Sequence, residues 1–440
     1  MNIALISENK SITYNQLTKL QRDYVKDIAP RSLVVIICSN TLDSIIFYTG
    51  CLNKKIVPML VDGDISEERL RDIVDRYHPG YIFQPKFNKD IENTVCIREY
   101  EDYKLYETSM AGTDNINEEL ALLLSTSGST GSSKFVRISY ENIRSNTESI
   151  VEYLKITDKD ISITTLPMSY TYGLSIINTY LYVGGTIIVT EKKIIEPEFW
   201  ELVYKNQVTS ISGVPFTYEV LKRIGLDKVR NSSIRTMTQA GGRLSEELQK
   251  YFGEFAKEQG INFYIMYGQT EATARMTYLP PEYITSKTGS VGVAILEGEV
   301  FIDNGEIIYK GKNVTMGYAE NFKDLKKSDE FNGILYTGDM GYMDDEGFLY
   351  VTGRKDKFAK LFGKRINLNE VENYLERIFA EKIICQVDEN NLCVYSEDEL
   401  EEDLIKGAIH KYLNISYRNI RYEKIRFRRN SRGKVVGIYE

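Results

Sequence analysis

The sequence predicts an α/β protein: a large N-terminal domain of helix-covered mixed sheets with a small antiparallel β subdomain, then a small α+β C-terminal domain. Three observations carry this expectation. Leu33–Cys38 (LVVIIC) is a continuous apolar run, as in a strand buried on both faces. Ser39-Asn40 then signals a helix start, Thr41 to Lys54 has helical apolar spacing, and Ile56–Val61 returns as a strand. The pattern recurs through the helix carrying Leu70, Ile73 and Val74 to a strand at Tyr81–Gln84, so the sheet is largely parallel.

Between Gly289 and Tyr350 the texture changes. Short strand-like pieces are separated by Asp303-Asn304-Gly305, Phe331-Asn332-Gly333 and Asp345-Glu346-Gly347, which is hairpin chemistry for a smaller antiparallel sheet or barrel. A charged junction, Arg354 to Lys357, follows. Beyond it come a helix (Asn369 to Ile378), strands at Lys382–Val387 and Leu392–Tyr395, and a helix (Leu400 to Leu413). The expected division is therefore residues 1–354 and 355–440.

Composition bounds the function. At 42% hydrophobic and 27% charged, the 440 residues have an ordinary soluble composition. The apolar runs are too short to span a bilayer, and no N-terminal targeting pattern is visible, which points to a cytoplasmic protein. Cys38, Cys51, Cys96, Cys385 and Cys393 form no C-x-x-C pair, against both a disulfide framework and a zinc site. The only histidines, His78 and His410, lie far from any candidate nucleophile. With 55 basic against 63 acidic residues the net charge is −8, which does not favour nucleic acid. The exception is local: Arg421 to Lys434 holds Arg426, Arg428, Arg429 and Arg432 against Glu423.

The sharpest chemical feature is the loop from Ser125 to Lys134. It carries Thr126, Ser127, Gly128, Ser129, Thr130 and Gly131, between an apolar strand at Leu120–Leu124 and a second strand-like run at Phe135–Ile138. Glycines permit tight turns, hydroxyls and backbone N–H groups face anionic oxygens, and Lys134 adds charge, which suits a polyphosphate. No Gly-Lys-Ser/Thr ends the loop, so it is not a Walker A motif. A Ser/Gly loop alone is more often a flexible turn.

The loop resembles the phosphate-binding motif of the adenylate-forming superfamily: acyl-CoA synthetases, peptide-synthetase adenylation domains and luciferases. Further matching segments follow in order: Leu166 to Gly173, Ala240 to Leu244, Tyr267 to Glu271, Tyr336 to Asp339, Gly353 to Asp356, and Gly433-Lys434. Gly289 to Gly292 and Asn313 to Tyr318 fit as well. The resemblance spans essentially the whole chain. It implies ATP and Mg²⁺ as cofactors, activation of a small carboxylic acid as an acyl-adenylate, and transfer to a pantetheine thiol of CoA or of an acyl carrier protein. It implies that Tyr267 stacks on adenine, with Gly268 and Gln269 beside it and Gly241, Gly242 and Arg243 at the other face. Thr270 and Glu271 would face phosphates and Mg²⁺, with one carboxylate sufficient for a hard cation. Asp339 would accept from the ribose hydroxyls, assisted by Arg354.

Lys434 would neutralise charge as the carboxylate attacks the α-phosphorus. Asp356 would be the hinge of a mobile C-terminal domain, and Gly363 would line the thiol tunnel. The acyl pocket is expected near Tyr170, Gly173, Ser175, Val214, Tyr218 and Ala240. Tyr170 stands where many relatives have histidine, and Phe135 where glycine is usual. The Leu166 to Gly173 segment has no aspartate, which disfavours an α-amino acid. The basic C-terminal stretch suggests an acyl carrier protein as the thiol donor. The competing expectation is a regulatory nucleotide-binding protein of the same fold without turnover.

Overall fold

The computed structural model describes residues 2–109, 116–125, 134–355, 358–361, 364–388, 391–413, 415–429 and 435–438. The chain divides into two compact units, Met1–Glu299 with Tyr309–Leu335, and Val300–Ile308 with Tyr336–Glu440. These compact units are cut at positions other than the 354/355 boundary expected from sequence.

The first unit holds two large sheets. One has eight strands in the spatial order Tyr318–Ala319, Phe135–Ser139, Leu120–Ser125, Val57–Asp62, Leu33–Cys38, Tyr81–Pro85, Tyr103–Thr108 and Thr94–Glu99. Its central strands are parallel, as the β-α-β reading requires. Every residue of Leu33–Cys38 is buried, which is why the run shows no alternation. The Leu42–Asn53 helix joins it to Val57–Asp62, capped by Thr41, whose hydroxyl accepts from the Ser44 N–H.

The other sheet has nine strands. Asn262–Tyr267, Thr236–Gln239, Ser210–Gly213, Ile161–Ile163, Thr186–Ile188 and Ile3–Ile6 run parallel, and Thr277–Leu279, Val293–Ala294 and Ser11–Thr13 complete its edges. Two helices join the sheets. Tyr140–Leu154 packs on the strand Phe135–Ser139 and on the helix Thr171–Val183, which leans on Ile161–Ile163 and Thr186–Ile188. The first of these begins with a capping box between Ser139 and Asn142.

The region from Gly289 to Tyr350 does not form one small sheet. Val293–Ala294 and Tyr318–Ala319 are edge strands of the two large sheets. The turn residues behave as expected elsewhere: Asn304 and Gly305 both have positive φ (49° and 80°) between Gly298–Asp303 and Glu306–Gly311. Those strands share a four-stranded sheet with Ile334–Met343 and Leu349–Arg354. Further along, the helices Leu368–Phe379 and Glu402–Leu413 share a core with the sheet Ile383–Asp388, Asn391–Ser396 and Ile420–Lys424, around Leu375, Leu392, Val394 and Ile405. No helix among the described residues is long and apolar enough to cross a membrane.

Candidate active site

Three of the motif segments, and Val214 of the expected acyl pocket, emerge from the same edge of the nine-stranded sheet. Gly213 is in register with Gln239, and Gln239 with Ile265, so three parallel strands end nearly level. Val214 follows the first, Ala240-Gly241-Gly242 the second, and Gly268-Gln269-Thr270 the third; the Ile161–Ile163 strand leads to Tyr170. Ligands of such sheets bind outside the carboxyl ends of the strands. Tyr170 crosses to the second segment, where a Cβ on Gly241 would lie 2.1 Å from its hydroxyl oxygen and 3.3 Å from a Val214 methyl. Gly241 also has φ +80°, so both space and backbone demand glycine. Gly242 faces Pro215, and Arg243 is exposed near Glu246.

The segment after Tyr267 is a tightly tied turn. Gly268 has no room for a side chain, since a Cβ would meet the Ala274 carbonyl oxygen at 2.0 Å. Gln269 leads into a single 3₁₀ turn, Thr270–Ala272, and Thr273 adopts φ +63°. That costly conformation is held on both sides: the Thr273 hydroxyl donates to the Asn313 carbonyl (2.7 Å), and its carbonyl accepts from the Thr171 hydroxyl. The Asn313 amide donates to the carbonyls of Ala272 (2.9 Å) and Arg275 (2.8 Å). The Thr315 N–H donates to the Glu271 carbonyl at 3.0 Å.

Glu271 is thereby fixed at the backbone, and its side chain is fixed as well. The Tyr318 hydroxyl donates to Glu271 Oε1 at 2.9 Å. Lys134 Nζ sits 3.3 Å from the centre of the same tyrosine ring, a cation–π contact. Tyr318 belongs to the edge strand paired with Phe135–Ser139, directly after Lys134. One aromatic ring thus brings the last residue of the phosphate-loop motif to the proposed magnesium carboxylate. Tyr318 and Asn313 lie in the Asn313 to Tyr318 segment that sequence comparison singles out without a role.

The predicted acyl-pocket residues divide. Tyr170, Val214 and Ala240 gather around Gly241. Gly173 is buried against the Pro167 carbonyl, 2.2 Å from where its Cβ would be. Ser175 spends its hydroxyl on the Tyr172 carbonyl (2.7 Å). Tyr218 is 1% exposed, donates to the Thr238 carbonyl (2.8 Å) and packs on Phe252 and Phe263; burial pushes its hydroxyl far above the usual range. Each of the three thus meets neighbouring protein groups, and Ser175 also lines a small cavity with Thr171, Leu174, Asn178 and Thr273.

In the second unit, Asp339 and Arg354 are cross-strand partners, with Arg354 Nε 3.0 Å from Asp339 Oδ1. The Asp339 N–H donates to the Thr337 hydroxyl, which donates to the Ile307 carbonyl. Asp339 is 8% exposed, while the Arg354 side chain is half-exposed. In the basic stretch, Arg429 pairs with Glu397 (2.8 Å), Arg421 with Asp388 (3.4 Å) and Lys424 with Glu399 (3.5 Å). Thr126, Ser127, Gly128, Ser129, Thr130, Gly131, Asp356, Gly363 and Lys434 lie outside the described residues. His78 ends a helix and stacks on Phe322, and His410 bonds the Ile415 carbonyl, both structural positions.

A parallel sheet with glycine-rich turns at its carboxyl edge, and a lysine and a glutamate on one tyrosine, define a nucleotide-handling enzyme. Residues 2–319 match the AMP-binding enzyme family, and the chain belongs to it, as an acyl-CoA-synthetase-like member of the adenylate-forming superfamily. It is 30% identical over 314 residues to a 2-succinylbenzoate–CoA ligase of Listeria monocytogenes, covering 68% of this chain and 66% of that protein. With the Bacillus subtilis protein of the same name it shares 27% over 396 residues, 85% of this chain and 79% of the relative. The fold matches O-succinylbenzoate coenzyme A synthetase (MenE) from Bacillus subtilis in complex with AMP, at TM-score 0.81 and 22% identity, over 99% of this chain and 94% of that one. The same enzyme in complex with its acyl-adenylate intermediate matches equally well.

Proposed function

We propose that the chain is an AMP-forming acid–CoA ligase. A carboxylate oxygen attacks the α-phosphorus of ATP and pyrophosphate leaves. The thiol sulfur of CoA then attacks the acyl carbonyl, its proton is lost, and AMP leaves. The observation that carries this reading is the Lys134–Tyr318–Glu271 constellation. It supplies a cation and a carboxylate next to the phosphate-loop motif, as an ATP–magnesium complex requires. Glu271 fits Mg²⁺ because Tyr318 engages one of its oxygens and phosphate oxygens supply further hard ligands. Bound there, the ion would screen the phosphate charge.

The remaining roles follow the motif positions. Thr126 to Gly131 and Lys134 hold the phosphates, with Thr270 beside them. Tyr267, Gly241 and Gly242 sandwich adenine. Asp339 accepts from the ribose hydroxyls and Arg354 orients it, since the two already pair. Lys434 stabilises the adenylation transition state. The second half-reaction turns the domain from residue 355 onward about Asp356, with thiol entry past Gly363. CoA is favoured over a carrier protein, because Arg421, Lys424 and Arg429 each have a local carboxylate. The names of the relatives make 2-succinylbenzoate the first acid to test.

Acid-dependent ATP–pyrophosphate exchange over a panel of carboxylic acids tests the reading. At least one acid should support exchange, and adding CoA should yield its thioester. Lys434→Ala should suppress exchange, and Gly363→Leu should spare exchange but block the thioester. No exchange with any acid, alongside retained ATP binding, would leave the regulatory alternative standing.

A further inference from the structure

Two buried glutamines tie turns in this protein, and they differ in how far each is satisfied. Gln249, 1% exposed, uses its whole amide: Nε2 donates to the Ile284 (3.0 Å) and Lys287 (3.3 Å) carbonyls, and Oε1 accepts from the Gly289 N–H (2.8 Å). Gln239, 0% exposed, is only half satisfied. Its Nε2 donates to the Gly242 carbonyl at 2.9 Å and to the Ala240 carbonyl at 3.3 Å. Its Oε1 is buried without a hydrogen-bond partner among the described residues. The two carbonyls fix which way the amide faces, since a flipped amide would set oxygen against oxygen. An orphaned buried acceptor destabilises a fold, and methionine, of similar size, would carry none.

Folding alone therefore gives no reason for glutamine here. Gly242 is exposed, so water could serve its carbonyl. What the amide does, and water cannot, is hold that carbonyl in one place. Gln239 ends its strand level with Gly213 and Ile265, at the carboxyl edge of the nine-stranded sheet. The chain then turns through Gly241 at φ +80°, where a Cβ would meet the Tyr170 hydroxyl and a Val214 methyl. Bonds from one side chain to the carbonyls at both ends of Ala240–Gly242 close that turn. A binding surface made of backbone gains affinity when its shape is set before the ligand arrives. We propose that Gln239 is a positioning residue that fixes the Ala240–Gly242 turn for adenine at a cost in folding stability; the adenine contact itself rests on the ligase reading above.

The test sets nucleotide binding against stability in Gln239→Met. The urea midpoint should stay level or rise, because the orphaned oxygen disappears as the Ala240 carbonyl loses its donor. The Kd for AMP, read by calorimetry, should rise about 10-fold, and that for ATP with Mg²⁺ by the same factor, since the turn meets the base rather than the phosphates. Both Kd values within about 2-fold of wild type would overturn the proposal, whatever the midpoint. Weaker binding with a lowered midpoint would overturn it too, by marking a residue that holds the fold as a whole. So would a larger loss for ATP than for AMP, which places the damage at the phosphates. Should Gln239→Met fail to fold, Gln239→Glu decides. A buried carboxyl there must keep its proton to donate to the Gly242 carbonyl, so AMP affinity should fall more steeply than in wild type between about pH 6 and about pH 9. Parallel pH profiles would refute the positioning role. Wild-type nucleotide binding without exchange for any acid would sink the ligase reading alone. Normal wild-type exchange beside unchanged binding in Gln239→Met would sink the Gln239 role alone, and no nucleotide binding by wild type would sink both.

Discussion

The turn from Tyr267 to Met276 and the Asp339–Arg354 pair are both predicted to touch nucleotide, yet they are held in opposite ways. The first is pinned by residues far along the chain: Thr171, Asn313, Thr315 and Tyr318 all reach it. In the second, two adjacent antiparallel strands hold each other, and the arginine is half in solvent. A group that must meet a metal–phosphate complex needs fixed geometry before the ligand arrives. A group that accepts two hydroxyl hydrogens tolerates adjustment. Support from the surroundings should therefore show as stability in the first region and as affinity alone in the second.

The largest expected effect comes from Asn313→Ala. It strips the Ala272 and Arg275 carbonyls of a donor and the Tyr309 hydroxyl of its acceptor (2.9 Å), all in a buried setting. The loss should be about 3 kcal/mol in urea unfolding, because unsatisfied buried polar groups cost about 1–3 kcal/mol each and Asn146 still serves Arg275. A loss under about 1 kcal/mol would mean the turn holds itself.

Tyr318→Phe should come next. It keeps the ring beneath Lys134 and removes only the hydroxyl that holds Glu271. The chain should remain folded while the Mg²⁺ concentration for half-maximal exchange rises about 10-fold. An unchanged magnesium requirement would show that Glu271 needs no such orientation.

Asp339→Asn should break the comparison least in stability. The Arg354 side chain is half-exposed, so losing the pair is worth about 0–1 kcal/mol. The KM for ATP should nevertheless rise, with kcat changing less. A large stability loss here would mean that the second region is pinned as firmly as the first.

Much of the scaffold was legible because it depends on local periodicity. Leu33–Cys38 is apolar at every position since both faces of its sheet are covered, and glycine with asparagine marked the hairpin at Asn304-Gly305. The strands at Val293–Ala294 and Tyr318–Ala319 were not assignable to the large sheets, because two-residue edges carry no pattern. At the site, the residue types at the strand ends were readable, whereas their supports were not. Asn313 acts on residues about forty positions away, and nothing in Ala-Thr-Ala-Arg-Met distinguishes a buried Arg275 from a surface one. The same limit holds for Ser175 and Tyr218, whose bonds to the Tyr172 and Thr238 carbonyls no local pattern announces.

The smallest effect sets the turn against another exposed ion pair of the second unit, Glu397–Arg429, by pH. Glu397 is held below its ordinary value near 4.5 chiefly by its hydrogen bond with Arg429, and it also accepts from the Phe427 N–H at 3.0 Å. A carboxyl whose folded pKa is depressed stabilises the fold above its unfolded pKa and loses that contribution as pH falls through the folded value. The relevant window therefore lies below about pH 4.5. Both side chains are about one-third exposed (33% and 37%), so solvent screening keeps the contribution under about 1 kcal/mol. Amide hydrogen exchange at Phe427 should speed up modestly between pH 5 and 3, after correction for intrinsic rates, and Glu397→Gln should flatten that dependence. The Glu271 turn, tied by neutral donors to backbone carbonyls, should show no matching change at Ala272 and Thr273. A parallel rise at those amides would mean that the turn and the Glu397–Arg429 pair open together, and that a firmly tied turn responds no differently from an exposed ion pair.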